Sequence, residues 1–125
     1  MTTLTIPIPK QIWISSNARL HRMEVARRTS LLRVLGNAHA RDARVPRFEQ
    51  VHVCAFIAYP TARKADPPNA WPTVKALLDG LTDAGTWDDD DSTHVIATEF
   101  RRETRKSDTG TYGVRLVLTD QEVRF

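Results

Sequence analysis

The chain opens on a period of two: Leu4, Ile6 and Ile8 alternate with Thr5, Pro7 and Pro9, and Ile12-Trp13-Ile14 follows. Such alternation marks a strand, and prolines, which cannot donate to a ladder, confine it to a sheet edge or make it irregular. Residues 4–14 are therefore expected to be extended. Ser15, Ser16 and Asn17 are N-cap candidates, because a short polar side chain can accept from the free N–H groups of a first helical turn. From about 18 to 40 the spacing changes to three, four and seven. Leu20, Met23, Leu31, Val34, Leu35 and Ala38 fall on one stripe, with Arg19, Arg22, Arg28, Arg33 and Arg41 away from it. A long amphipathic helix with that stripe inward is expected. Arg27 falls on the stripe itself, and Gly36 weakens the helix near its end.

A polar connection, 41–47, leads to Val51-His52-Val53-Cys54-Ala55-Phe56-Ile57-Ala58-Tyr59. This nearly unbroken apolar run predicts a central strand covered on both faces. Residues 61–72 read as a loop, with Pro72 placed for a first helical turn. Val74, Leu77, Leu78, Leu81 and Ala84 then repeat every three or four residues, with Lys75, Asp79, Thr82 and Asp83 off that face, and Gly85 provides a stop. After Trp87 and four aspartates, His94–Phe100 reads as a strand. Lys106–Gly110 has turn chemistry, and Tyr112, Val114, Leu116 and Leu118 alternate in a last strand. Two strands joined by a Gly-containing turn predict a hairpin. The expected fold is one domain over residues 1–125, α/β of the α+β type: a mixed sheet with two helices packed on it, in the order β-α-β-α-β-β.

Charge changes this picture more than composition does. Residues 1–64 carry 11 Lys/Arg and 3 Asp/Glu, whereas residues 65–125 carry 7 and 12, so a net +8 half precedes a net −5 half. A cationic surface for a polyanion beside an acidic site for a cation would produce that split; solvated arginine-rich helices would produce it too. No segment has the roughly 18 apolar residues of a membrane span. The N-terminus lacks the basic and apolar regions of a leader peptide, and the lone Cys54 permits no internal disulfide. A cytoplasmic protein without membrane contact is expected. The four histidines have no zinc-ligand spacing, and no phosphate-binding or dinucleotide glycine motif is present, so no organic cofactor is expected.

The candidate chemistry is carboxylate chemistry. Asp66 precedes the short helix and Asp88–Asp91 follow it. A helix of about 13 residues spans roughly 20 Å, so the two acidic segments meet only if the chain folds back. If they meet, their oxygens suit magnesium, which takes one or two carboxylates with water and phosphate oxygens and activates a water nucleophile. Lys75 would balance the charge or stabilise the transition state. A solvated acidic loop is the plain alternative. A calcium loop of the EF-hand type is rejected, because Thr93 stands where its glycine belongs and a strand follows.

Arg63-Lys64-Ala65-Asp66-Pro67-Pro68-Asn69, Lys75-Ala76-Leu77-Leu78-Asp79-Gly80-Leu81, Ala84-Gly85-Thr86-Trp87-Asp88-Asp89-Asp90-Asp91 and His94-Val95 together resemble the RusA-like crossover junction endodeoxyribonucleases. That family's pattern is a basic loop, D-x-D-N, a lysine-bearing helix, a glycine-tryptophan turn and an acidic pair. The likeness is concentrated in residues 63–97. It implies a magnesium-dependent enzyme, with manganese able to substitute. Such an enzyme resolves four-way DNA junctions by paired symmetric nicks in recombination and repair, as a homodimer, in a bacterial or phage-infected cell. Carried over residue by residue, Asp66, Lys75, Asp90 and Asp91 are the catalytic candidates. Asp66, Asp90 and Asp91, with Asp89 or Asn69 as substitutes, are the metal candidates, and Arg63, Lys64, Arg19, Arg22 and Arg28 would contact DNA. The chain departs from the pattern at Pro68, which replaces the second aspartate, and in three extra residues before Lys75. The alternative is therefore a non-catalytic DNA-binding protein on the same fold; a general phosphodiesterase or RNase is a third reading.

Overall fold

In a computed structural model, which describes residues 1–121, the element order is that expected from the sequence. Strand β1 spans Thr2–Pro9, helix α1 Arg22–Asp42, β2 Val51–Ala58, α2 Trp71–Asp83, β3 Val95–Arg102 and β4 Thr111–Asp120. Short 3-10 turns cover Lys10–Ile12 and Pro67–Ala70. The four strands form one mixed sheet in the order β1-β4-β2-β3. The proline-containing β1 is indeed an edge strand, antiparallel to β4 with Ile6 opposite Val114. Its alternation puts Leu4, Ile6 and Ile8 in the core.

The expected hairpin does not form. Strand β2 lies between β3 and β4, parallel to the first and antiparallel to the second. The connection after β3 crosses the end of β2, where Glu103 N donates to Ile57 O (2.8 Å) and Ser107 N to Tyr59 O (3.0 Å). Eight residues are enough to step over one strand, so turn chemistry alone did not settle the pairing.

Both helices pack on a single sheet face, so β2 is not covered on both. Val51, Val53, Ala55 and Ile57 join Leu32 of α1 and Val74, Leu77, Leu78 and Leu81 of α2 in one core. On the other face, Phe56 lies under the Arg115 guanidinium, 4.0 Å from its ring centroid. His52 there stands 3.6 Å from Glu99. Long charged side chains cover apolar strand surface with their stems while the heads stay wet. Cys54 lies on this face and is buried, with its thiol pKa pushed up by burial.

Helix α1 begins later than the pattern suggests and faces the other way. Its N-cap is His21, whose Nδ1 accepts from Met23 N at 3.1 Å, and not one of the serines or Asn17. Met23, Leu31 and Val34 of the expected inward stripe are exposed. Leu32, Gly36 and Ala40 are buried instead. The reason is the packing of α1 on α2. A Cβ on Gly36 would lie 2.5 Å from Leu77 O, and one on Gly80 2.2 Å from Arg33 O. The two backbones touch at glycines, so small residues define the buried face and the larger apolar ones are displaced to solvent. Helix α2 follows its pattern, with a proline in its first turn and Gly85 at φ 83° just beyond its end. Among the described residues, no helix is long and apolar enough to cross a membrane.

Candidate functional site

The ends of β1 and β2 and the start of β4 meet at one rim of the sheet, and a cleft of about 860 Å³ opens there. Its floor is aromatic. Trp13 stacks on Tyr112 with centroids 4.2 Å apart and planes 6° from parallel. Tyr59 meets both edge-on, at 6.5 and 6.0 Å. Burial pushes the Tyr59 hydroxyl pKa up. The segment carrying Trp13 is fastened to the start of α2. Thr73 Oγ1 accepts from Ile14 N (2.9 Å) and donates to Ile14 O (2.8 Å), and Ser16 N donates to Asn69 O (2.8 Å). Arg28 Nη1 donates to Trp13 O at 2.8 Å.

The loop after β2 lines the cleft with Arg63, Lys64, Asp66 and Asn69, and Lys10 joins them from the end of β1. Four predicted site residues thus converge. Asp66 is the N-cap residue of the 3-10 turn, yet its side chain makes no capping bond. Its carbonyl oxygen accepts from Asn69 N at 3.0 Å, while the carboxylate is exposed, in no hydrogen bond or ion pair. Pro68 occupies the next outward position of that turn.

The acidic run behaves differently. Trp87 is buried, its Nε1 donates to Thr82 Oγ1 (2.7 Å), and Thr86 N donates to Leu81 O (3.1 Å). These bonds turn the chain back along α2, as the fold-back requires. Each aspartate then finds its own partner. Asp88 pairs with Arg47. Asp89 Oδ1 accepts from Asp90 N (2.8 Å), and Asp91 Oδ1 from Thr93 N (3.0 Å). Asp90 reaches the middle of α2 and accepts from Lys75 Nζ, which also donates to Asp79 Oδ1 at 2.8 Å.

Asp79 and Asp90 thus flank one ammonium group. Burial and the neighbouring Asp90 hold the Asp79 carboxyl above the usual aspartate range, against the pull of Lys75. Burial works against ionisation of Asp90 too, but the influence of Asp79 and Lys75 outweighs it and holds Asp90 low. Lys75 is itself raised: burial favours its neutral form, and the two carboxylates more than offset that. The three titrate as one coupled cluster, with Asp79 the carboxyl that is pushed up and Asp90 the one that is held down. Asp79 was missed by sequence reasoning, although its spacing of four from Lys75 on an exposed helix face is a readable pairing signal.

The candidates therefore sort into two places. Asp66, Asn69, Arg63 and Lys64 line the cleft, while Lys75 and Asp90 belong to the cluster on α2. Among the described residues, no three His, Cys, Asp or Glu side chains are grouped to hold a metal. Asp66 and Asn69 line the cleft together, and a carboxylate and an amide oxygen are donors of the kind a magnesium ion takes beside water and phosphate oxygens. Of the helix arginines, Arg19 and Arg22 are exposed and free, whereas Arg28 is held by Glu24 and by Trp13 O. The chain matches no family model and no characterised protein.

Proposed function

We propose that this chain is a magnesium-dependent endonuclease acting on four-way DNA junctions. The observation that carries the reading is the unpartnered carboxylate of Asp66 in a large cleft whose other walls are cationic and aromatic. Lys10, Arg63 and Lys64 would neutralise phosphates, and their carbon stems and the tyrosines would lie against sugars and bases. Asp66, with Asn69, would hold the magnesium ion, which supplies an activated water when bound. Asp66 and Asn69 orient that chemistry toward the phosphodiester brought in by the basic loop. Lys75 holds Asp90 and Asp91 is engaged by Thr93, so in this reading both fix the loop that follows Trp87. Two equivalent cuts in a two-fold substrate call for two copies of the site, hence a homodimer, working in the cytoplasm where DNA is met.

The experiment is nicking of a synthetic junction with magnesium, or manganese in its place, by the parent and by Asp66→Asn. Parent cutting and variant silence support the proposal; equal cutting by both defeats it. A second reading, a junction-binding protein without catalysis, is favoured by Pro68 at the position of the second ligand and by the engagement of Asp90 with Lys75. It predicts binding with no cleavage under any divalent ion, and Pro68→Asp as the change that restores cutting.

A further inference from the structure

We propose that the connection between β3 and β4 is a second contact for the DNA phosphate backbone, continuous with the cleft. The inference rests on the DNA-binding part of the reading above and not on the nuclease chemistry. A smaller cavity of about 360 Å³ lies beside the cleft, lined by Tyr59, Arg102, Glu103, Arg105 and Lys106 among others. Tyr59 lines both spaces. The two loops that flank it are joined: Arg102 Nη2 donates to Thr61 O at 3.1 Å, and its guanidinium lies 5.0 Å from the Tyr59 ring centroid. The basic loop of Arg63 and Lys64 and the basic connection of Arg102, Arg105 and Lys106 therefore form one surface, although some forty residues separate them in the chain.

The pattern of partners gives this surface its chemistry. Glu103, the acid of the connection that lines the cavity, is held by Arg115 through two bonds of 2.7 and 3.0 Å, which keep its carboxyl below the usual range. Glu99 is taken by Arg101. By contrast Lys10, Arg63, Lys64, Arg102, Arg105 and Lys106 are all exposed and none is in an ion pair. Among the described residues of these two loops, Asp66 and Asp108 are the acids left without a cation, whereas the arginines of α1 are largely spent on Glu24 and Asp83. Unpaired cations kept near one another repel; the negative charge of a run of phosphates relieves that repulsion, and the counterions the phosphates release drive the binding. Guanidinium groups suit phosphate oxygens bidentately. Contacts of this kind to phosphate oxygens position the nucleic acid and carry no sequence information.

The test uses the full chain and a fluorescein-labelled four-way junction in calcium or EDTA, so that no cutting intervenes. Anisotropy titrations across about 50 to 200 mM salt compare the parent with Arg105→Ala/Lys106→Ala. Affinity should fall about tenfold or more at the low end. The slope of log affinity against log salt should shrink by about one to two, since each phosphate contact contributes about 0.9. Arg105→Lys should retain most of the slope, and an unchanged circular-dichroism melt confirms that the double variant folds. Parental affinity and slope in the double variant, or a parent that binds no DNA, overturn the proposal, as does preference for an RNA duplex of the same sequence. A parent that binds with a steep slope and never nicks leaves this contact standing and sinks the nuclease reading. A parent that nicks while the double variant binds as the parent does has the opposite meaning.

Discussion

Two carboxylates of this protein flank α2 in the sequence, Asp66 before its start and Asp90 after its end, and they could hardly be treated more differently. Asp90 is mostly buried and accepts from an ammonium group. Asp66 is exposed, in a cleft, with no donor on its carboxylate. A carboxylate supplied with donors from within the fold contributes to the fold; one left without them in a concave, cationic surrounding is available to something from solution. A variant at the first should change stability more than chemistry, and a variant at the second the reverse.

The sharpest test of that contrast is Asp66→Asn. Nicking should drop by about 100-fold or more, roughly 2.7 kcal/mol in the barrier, while the urea unfolding free energy changes by less than about 0.5 kcal/mol. A large loss of stability would erase the distinction. Next in size is Lys75→Met, which leaves Asp79 and Asp90 facing each other without a cation. Because Lys75 is nearly half exposed, water screens the repulsion, and a loss of about 1–2 kcal/mol in urea unfolding at pH 7 is expected. The loss should shrink near pH 4 as the pair takes up protons. Loss of equal size at both pH values would mean that packing and not charge is at stake.

Asp79→Asn is smaller and opposite in sign. A folded-state pKa raised above the unfolded one favours the fold below it and weakens the fold as pH rises through it. Replacing the acid by a neutral donor should therefore stabilise the protein at pH 7 to 8, by about 0.5 kcal/mol, and do nothing below the ordinary aspartate range. Thermal melts as a function of pH would show the two curves parting upward. Destabilisation at pH 8 would mean that the ion pair of Asp79 with Lys75 outweighs the burial of its carboxylate. The smallest effect concerns Glu24, whose bonds from Arg27 and Arg28 lower its carboxyl to about 2. A lowered acid contributes stability above its unfolded pKa near 4.5 and loses it as pH falls through about 2. Hydrogen exchange at the first turn of α1 should quicken across that window, ahead of exchange in the sheet.

How far the sequence reached depended on residue size as much as on polarity. Helix α2 was legible because Val74, Leu77, Leu78 and Leu81 are large and sit on one side. Helix α1 was legible as a helix but not in its orientation, since Gly36 and Ala40 carry little apolar weight in a periodicity count and yet mark where the backbones meet. The order of strands was hidden because adjacency in sequence favours a hairpin, and only the bonds of the 103–110 connection over the end of β2 show otherwise. At the cleft, Arg63, Lys64, Asp66 and Asn69 were legible because they share one loop. Lys10, Tyr59, Tyr112 and Arg102 were not, since separate strand ends bring them together. Arg28 had the right charge for DNA, but its bonds to Glu24 and to Trp13 O turn it to structural use.

The stacked pair of Trp13 and Tyr112 also sets a schedule for biosynthesis. Among the described strands β1 pairs with β4 alone, so β1, made before the other three, waits without a neighbour until β4 is made. Long-range pairing of this kind is slow to close. Until Tyr112 has emerged, the aromatic floor is missing one of its rings, and a nascent chain, whatever its helices have achieved, has no finished cleft.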